Sequence, residues 1–337
     1  MKKGFDMDFR TIVELPKKQA IIHHCDKILL MGSCFAEGIG KMFIDDKFVC
    51  TSNPYGVLYN PLSIECALKE LLQRKFYTIK DPALVKYNGW HSLHHHGSFS
   101  ALALEDCVKN INSGLEQTYQ NFFQTKILFI TWGTAWVYRW QQSGEIVANC
   151  HKIPSSFFVR ERLDVDTIVN SYSKLITQLL EKVNPELKVI FTVSPVRHMK
   201  DGFHENQLSK SILLLAIEAL QKSFDEQVFY FPSYEIMMDE LRDYRFYADD
   251  MLHPSLLAQN FIWQRLAEYY FSDECHMIIK KWDEIKKGLA HKPFHPESAE
   301  YKAFLCQIVL KINQLKEKYP YFEVKNELEL CRTLLKQ

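Results

Sequence analysis

The chain has 337 residues, 47% of them hydrophobic and 24% charged, with 41 Lys+Arg against 41 Asp+Glu. These proportions are those of an ordinary globular protein with a sizeable core, and they weigh against wholesale disorder. Zero net charge supplies no field to attract nucleic acid or an anionic membrane, and no apolar run is long enough to insert across a bilayer.

At the N-terminus Lys2 and Lys3 suggest the start of a signal peptide, but Asp6, Asp8 and Arg10 interrupt any apolar stretch, so no secretory leader is expected. Nine cysteines without CxxC spacing predict reduced thiols and a cytoplasmic location. The first buried strand, residues 27–31, stops at Gly32, and residues 36–43 continue at helical spacing. Strand, tight turn and helix thus follow one another. Asn53-Pro54-Tyr55-Gly56 signals a turn, and residues 61–72 read as a helix with Pro61 at its first position. Residues 77–100 are irregular and rich in His and aromatics.

A second buried strand, 127–131, ends at Trp132-Gly133-Thr134. Residues 138–140 and 145–149 flank Gly144 as a hairpin. A long amphipathic helix over 163–183 ends at Asn184-Pro185. The third strand, 188–193, ends at Ser194-Pro195; a helix over 205–224 and a fourth strand, 228–231, follow. This alternation predicts an α/β fold with parallel strands joined by right-handed crossovers. In such sheets functional residues gather beyond the carboxyl ends of the strands, which selects Ser33, Gly133, Ser194 and Ser233. After Phe271, residues 280–289, 299–318 and 326–336 read as polar amphipathic helices, a cap on the core that could also contact a protein partner.

Ser33 stands where a buried strand meets a helix, so its hydroxyl is held at the sheet edge and the N–H groups of the helix start can stabilise an oxyanion. Gly32 relieves the sharp turn. A simple helix N-cap would account for the serine equally well. In Asp250-Met251-Leu252-His253 the acid and the imidazole are three apart. One turn can then set the carboxylate on one ring nitrogen and leave the other to take a proton from a serine. A helix-terminal charge beside a surface histidine is the plainer alternative. Cys34 is a rival nucleophile, but its side chain points away from that of its neighbour and cysteine is commonly buried. Among His91, His94, His95 and His96 only His94 and His96 share a face of an extended segment, without a Cys pair or carboxylate to complete a shell; no metal and no cofactor is expected. Lys152 and Arg197 suit a polar or anionic substrate group. Tyr55, Trp90, Trp132, Trp136 and Trp140 could stack on a sugar, although most should be core.

Gly32-Ser33-Cys34-Phe35-Ala36 resembles the motif of the GSCFA family, a branch of the SGNH (GDSL-like) hydrolase superfamily. Asn53-Pro54-Tyr55-Gly56, Gly133-Thr134-Ala135-Trp136, Asn149-Cys150-His151-Lys152 and Ser194-Pro195-Val196-Arg197-His198 extend the resemblance, in order, over roughly residues 27–271. It implies a three-layer α/β/α sandwich with a mostly parallel, flavodoxin-like sheet over residues 1–272, followed by a helical extension over 273–337. It also implies ester hydrolysis, with Ser33 as nucleophile, His253 as general base and Asp250 as its orienting carboxylate. Gly56 resembles the superfamily's second-block glycine, an N–H donor to the oxyanion. The usual Gly-x-Asn-Asp is replaced by Gly133-Thr134-Ala135-Trp136, and Ala135 has no side-chain donor. Gly133, Thr134, Asn149 and Asn53 are therefore the candidates to complete the oxyanion and substrate site. The expected substrate is a small-molecule or glycan ester carrying a small, acetyl-like O-acyl group. The alternatives are an acyltransferase with the same triad, or a binding protein with a degenerate site.

Overall fold

The computed structural model describes residues 10–15 and 19–336; the leader reading at Lys2, Lys3, Asp6 and Asp8 falls outside them. In chain order, β1 (Lys27–Gly32), α1 (Cys34–Asp45), β2 (Val49–Ser52) and α2 (Pro61–Leu72) come first. The short pair β3 (Leu84–Lys86) and β4 (Trp90–Ser92) precedes α3 (Leu104–Phe122) and β5 (Thr125–Trp132). A small antiparallel sheet of β6 (Trp136–Trp140), β7 (Ile146–Val147) and β8 (Phe158–Arg162) leads to α4 (Val165–Lys182). Then come β9 (Lys188–Val193), α5 (Phe203–Ser223), β10 (Val228–Tyr230), the single turn α6 (Ser233–Glu235) and α7 (Leu256–Tyr270).

The main sheet is parallel throughout, in the order β10-β9-β5-β1-β2. The chain starts in the middle, adds β2 on one side, then crosses to add β5, β9 and β10 on the other. That is the flavodoxin-like winding, and its reversal leaves a crevice between the carboxyl ends of β1 and β5. Ser33 and Gly133 emerge on either side of it.

Alternation along β1 assigns the two faces. Leu29 and Met31 pack with Leu128, Ile130, Val189 and Phe191 beneath α2, α3, α4 and α5. Ile28 and Leu30 pack with Ile127, Phe129 and Ile190 beneath α1 and α7. Because successive side chains point to opposite faces and both faces are covered, the strands read as unbroken apolar runs. Each fully buried Leu or Ile contributes about 1.5–3 kcal/mol. The result is a three-layer α/β/α sandwich.

The helical tail comprises α8 (Asp273–Ala290), α9 (Ala299–Lys318) and α10 (Lys325–Leu335). Cys275 of α8 joins the sheet core, whereas Ile278, Trp282 and Ile285 pack with Leu305, Ile308, Ile312 and Phe322 in a core of the tail's own. The tail docks where α1 gives way to β2. Trp282 Nε1 donates to the Asp45 carbonyl at 2.8 Å, Lys286 pairs with Asp46 at 2.5 Å and Lys47 with Glu327 at 2.6 Å. Since α1 runs back from the carboxyl end of β1 to the amino end of β2, the tail sits at the opposite end of the sheet from Ser33. Among the described residues no helix is long and apolar enough to cross a membrane.

Candidate active site

The turn after β1 tolerates only glycine. Gly32 has φ +145°, and a Cβ there would lie 2.2 Å from the Thr131 carbonyl oxygen. Its N–H is held by Asn53 Oδ1 at 2.9 Å. Ser33, 1% exposed, caps α1, and its Oγ accepts the Phe35 N–H at 3.3 Å. The N–H of Cys34, at the first position of α1, has no acceptor within the helix. The hydroxyl therefore stands at the positive end of a helix and at the crevice, a placement compatible with both of its expected roles.

His253 Nδ1 lies 2.5 Å from Asp250 Oδ2. Asp250 Oδ1 also accepts the N–H groups of Leu252 and His253, each at 2.9 Å. Those two backbone donors, more than the imidazole, push the carboxyl down to about 2. An ionised Asp250 fixes the ring hydrogen on Nδ1 and leaves Nε2 as the acceptor. The pair rides on a surface loop, with side chains 45% and 48% exposed. Arg197 holds the loop from the β9 side: its N–H donates to the Leu252 carbonyl at 3.2 Å and its Nη2 to that of Met251. Ser33 and His253 line one cavity of about 660 Å³, together with Cys34, Asn60, Thr134 and Ser194.

Behind the cavity wall, α5 braces the loops that carry Thr134, Ser194 and His198. Asn206, Ser209 and Lys210, all buried, share its inward face at i, i+3 and i+4. Asn206 Oδ1 accepts the His198 N–H at 2.9 Å, and Ser209 Oγ accepts the Ala135 N–H at 2.8 Å. Lys210 Nζ donates to the carbonyls of Gly133 at 2.8 Å and Ser194 at 2.7 Å. Burial pushes this ammonium down to about 7. His198 Nε2 reaches the same Gly133 carbonyl at 3.1 Å, and burial pushes its imidazole down to about 4. One helix face thus fixes the loops leaving both β5 and β9.

The expected oxyanion residues do not converge. Gly56 N–H donates to the Asn53 carbonyl at 2.7 Å, and the N–H groups of Gly133 and Thr134 are both taken by the Tyr59 carbonyl, at 2.8 and 3.0 Å. Asn149 Oδ1 caps the His151 N–H at 2.8 Å. Asn53 Nδ2 is buried without a partner among the described residues. Of these five only Thr134 reaches the cavity wall, and its hydroxyl already meets Ser209 Oγ and the Trp136 N–H. Asn60, which is not among the residues expected from the sequence, lines the cavity and caps α2: its Oδ1 accepts the Ser63 N–H at 2.8 Å and its Nδ2 donates one hydrogen to Ser63 Oγ at 2.9 Å. The signal was Asn60-Pro61, a cap before a helix-starting proline.

Other expected residues are placed as follows. Burial raises the Cys34 thiol. Ser194 lines the cavity, but Ser233 Oγ is spent on Thr192 Oγ1 at 2.6 Å and the Val193 carbonyl at 2.9 Å. Arg197 lines the cavity and Lys152 does not; of the five aromatics only Trp136 does. In the histidine-rich stretch, His94 comes within 4.8 Å of Cys66 and Glu70. Contrary to the expectation of no carboxylate beside these histidines, Glu70 reaches His94 Nδ1 at 3.0 Å, and it also accepts from Lys75 Nζ at 2.8 Å and Tyr77 OH at 2.9 Å.

The family model described as "GSCFA family" matches residues 27–266, and that described as "GSCFA domain protein, C-terminal domain" matches residues 282–337. No curated protein matches the chain.

Proposed function

The chain belongs to the GSCFA family, and from that premise we propose that it is a serine hydrolase of the SGNH type, cleaving a small O-acyl ester on a glycan or similar polar molecule. The observation that carries this reading is the opening of Ser33 and His253 onto one cavity, at the sheet's switch point, with Asp250 2.5 Å behind the imidazole. Ser33 Oγ attacks the acyl carbon while His253 Nε2 takes its proton. The tetrahedral adduct collapses to an acyl-serine, and the departing alcohol takes that proton from His253. Water, deprotonated by the same nitrogen, then releases the acid and restores Ser33. Asp250 stays ionised and holds the ring in place.

The oxyanion would be met by the Cys34 N–H and by the second Nδ2 hydrogen of Asn60, replacing the donor that Ala135 lacks. Asn60→Asp keeps the oxygen that caps α2 and removes the amide donor. The expected result is a fall in kcat of about a hundredfold for ester turnover with little change in melting temperature. Unchanged kcat removes Asn60 from the oxyanion site. The test of the function itself is covalent: a fluorophosphonate should label the purified chain, and peptide mapping should find the adduct on Ser33. Absence of labelling favours a degenerate binding site, and an adduct on Cys34 reassigns the nucleophile.

A further inference from the structure

Charge along the cavity wall is unbalanced. Arg160, Arg197 and Lys200 line it against a single carboxylate, Asp201. Arg160 uses that carboxylate fully. The two make a bidentate pair, Nη2 to Oδ2 at 2.5 Å, and the guanidinium lies 4.4 Å over Trp136 and 5.4 Å over Tyr138. Arg160 is thus neutralised and immobilised.

Among the described residues neither Arg197 nor Lys200 makes a salt-bridge contact, although the charge of Lys200 helps to lower the Asp201 carboxyl. Lys200 Nζ donates to Tyr138 OH at 2.5 Å. The guanidinium of Arg197 is packed by three rings, with centroids at 4.5 Å (Tyr247), 5.3 Å (Phe203) and 5.4 Å (Tyr244). Its Nη2 is used by the Met251 carbonyl, while its Nε is buried with no hydrogen-bond partner. That Nε is closed off, as is Arg160 Nε, so the donor of Arg197 left for a ligand is Nη1. A guanidinium fixed by aromatic faces, with Nη1 open, is preorganised for an oxygen of a carboxylate or phosphate. Arg197 also borders a neighbouring cavity of about 510 Å³, whose wall includes the Tyr244 and Tyr247 rings; there Asp239 and Asp243 balance Arg197 and Arg242, whereas the Ser33 side carries the cationic excess.

We infer that the ester substrate carries a second, anionic group, a carboxylate or a phosphate, seated against Arg197 and Lys200. The substrate class is then an O-acylated acidic molecule, such as an acylated uronic acid or sugar phosphate. The ester half of this statement rests on the hydrolase reading; the anion seat is a property of the residues of the β9–α5 loop and is tested separately.

Calorimetric titration of the purified full chain with glucuronate, glucose 6-phosphate and glucose reads the seat directly. Binding of at least one of the two anions is expected, with no heat from glucose. Arg197→Gln and Lys200→Gln should each weaken that binding about tenfold or more, as loss of a charge-assisted hydrogen bond requires. Glucuronate alone binding identifies a carboxylate ligand, and glucose 6-phosphate alone a phosphate. Because Arg197 also ties the Met251 carbonyl, Lys200→Gln serves as the variant that leaves the Asp250–His253 loop untouched. Neither anion binding in the millimolar range, or binding at wild-type strength in both variants, overturns the inference. Anion binding without fluorophosphonate labelling keeps the seat and removes the hydrolase; labelling without anion binding removes the seat alone.

Discussion

Ser33→Ala is expected to reduce hydrolysis of a short-chain nitrophenyl ester by on the order of 10⁴-fold or more. Removing the attacking oxygen leaves the cavity and the Asp250–His253 pair intact but nothing to carry the acyl group. The same substitution removes the α1 N-cap, whose Oγ accepts the Phe35 N–H at 3.3 Å. Loss of a cap costs about 0.5–2 kcal/mol, which lowers the melting temperature by a few degrees in a chain of this size. The two roles of Ser33 therefore separate by measurement. Kinetics that collapse while the fold melts only slightly earlier identify a nucleophile. A modest melting shift with undiminished turnover identifies a cap and takes the mechanism with it.

Local rules were enough to read the crevice from the sequence. A run of apolar residues that stops at Gly32, followed by a serine and a helical repeat, has few other conformations, and the 2.2 Å approach of the Thr131 carbonyl explains why glycine is required there. The strands at 188–193 and the helix at 61–72 were legible for the same reason. What sequence alone could not supply was long-range pairing. β2 is a four-residue edge strand, half-buried, recognisable only once β1 is beside it. The helix α3 carries a narrow stripe of Cys107, Ile111, Leu115, Thr118 and Phe122 on a polar cylinder, too sparse to announce itself. The oxyanion candidates failed for a related reason. Gly133 and Thr134 were placed correctly at a strand end, but their N–H groups are claimed by a carbonyl 74 residues upstream for Gly133, that of Tyr59. Proximity to a site says where a donor sits, and only the hydrogen-bond partners say whether it is available. The polar face of α5 was visible in principle, since Asn206, Ser209 and Lys210 fall in phase with Leu213, Ile217 and Leu220. A lysine in phase with an apolar stripe is a warning that something inside needs a cation or a donor.

That lysine leads to the second large effect. Lys210 is 1% exposed, and its ordinary value of 10.5 is lowered to about 7 by desolvation. The charged groups facing it are few. Cys34 on α1 favours the ammonium weakly, His198 on the loop after β9 is neutral at pH 7, and the Tyr234 ring lies 5.5 Å away. Below pH 7 both folded and unfolded chains carry the lysine proton, so the cost of burying the ammonium is fully present. Between pH 7 and about 10.5 the unfolded chain holds a proton that the folded chain has released, and stability rises with pH. The depression corresponds to roughly 4–5 kcal/mol across that window. Lys210→Met abolishes this slope. The variant leaves the Ser194 carbonyl without its 2.7 Å donor, at a cost of about 1–3 kcal/mol, while the Gly133 carbonyl keeps His198. Urea denaturation of wild type and variant from pH 6 to pH 10 should therefore give curves that converge or cross: the variant as stable or more so at pH 6, and less stable by about 1–3 kcal/mol at pH 10. Parallel curves would mean that the lysine keeps its charge in the fold, stabilised by the two carbonyls more than burial penalises it. In that event the ammonium stays charged on the Gly133 and Ser194 carbonyls behind the cavity wall throughout the working pH range.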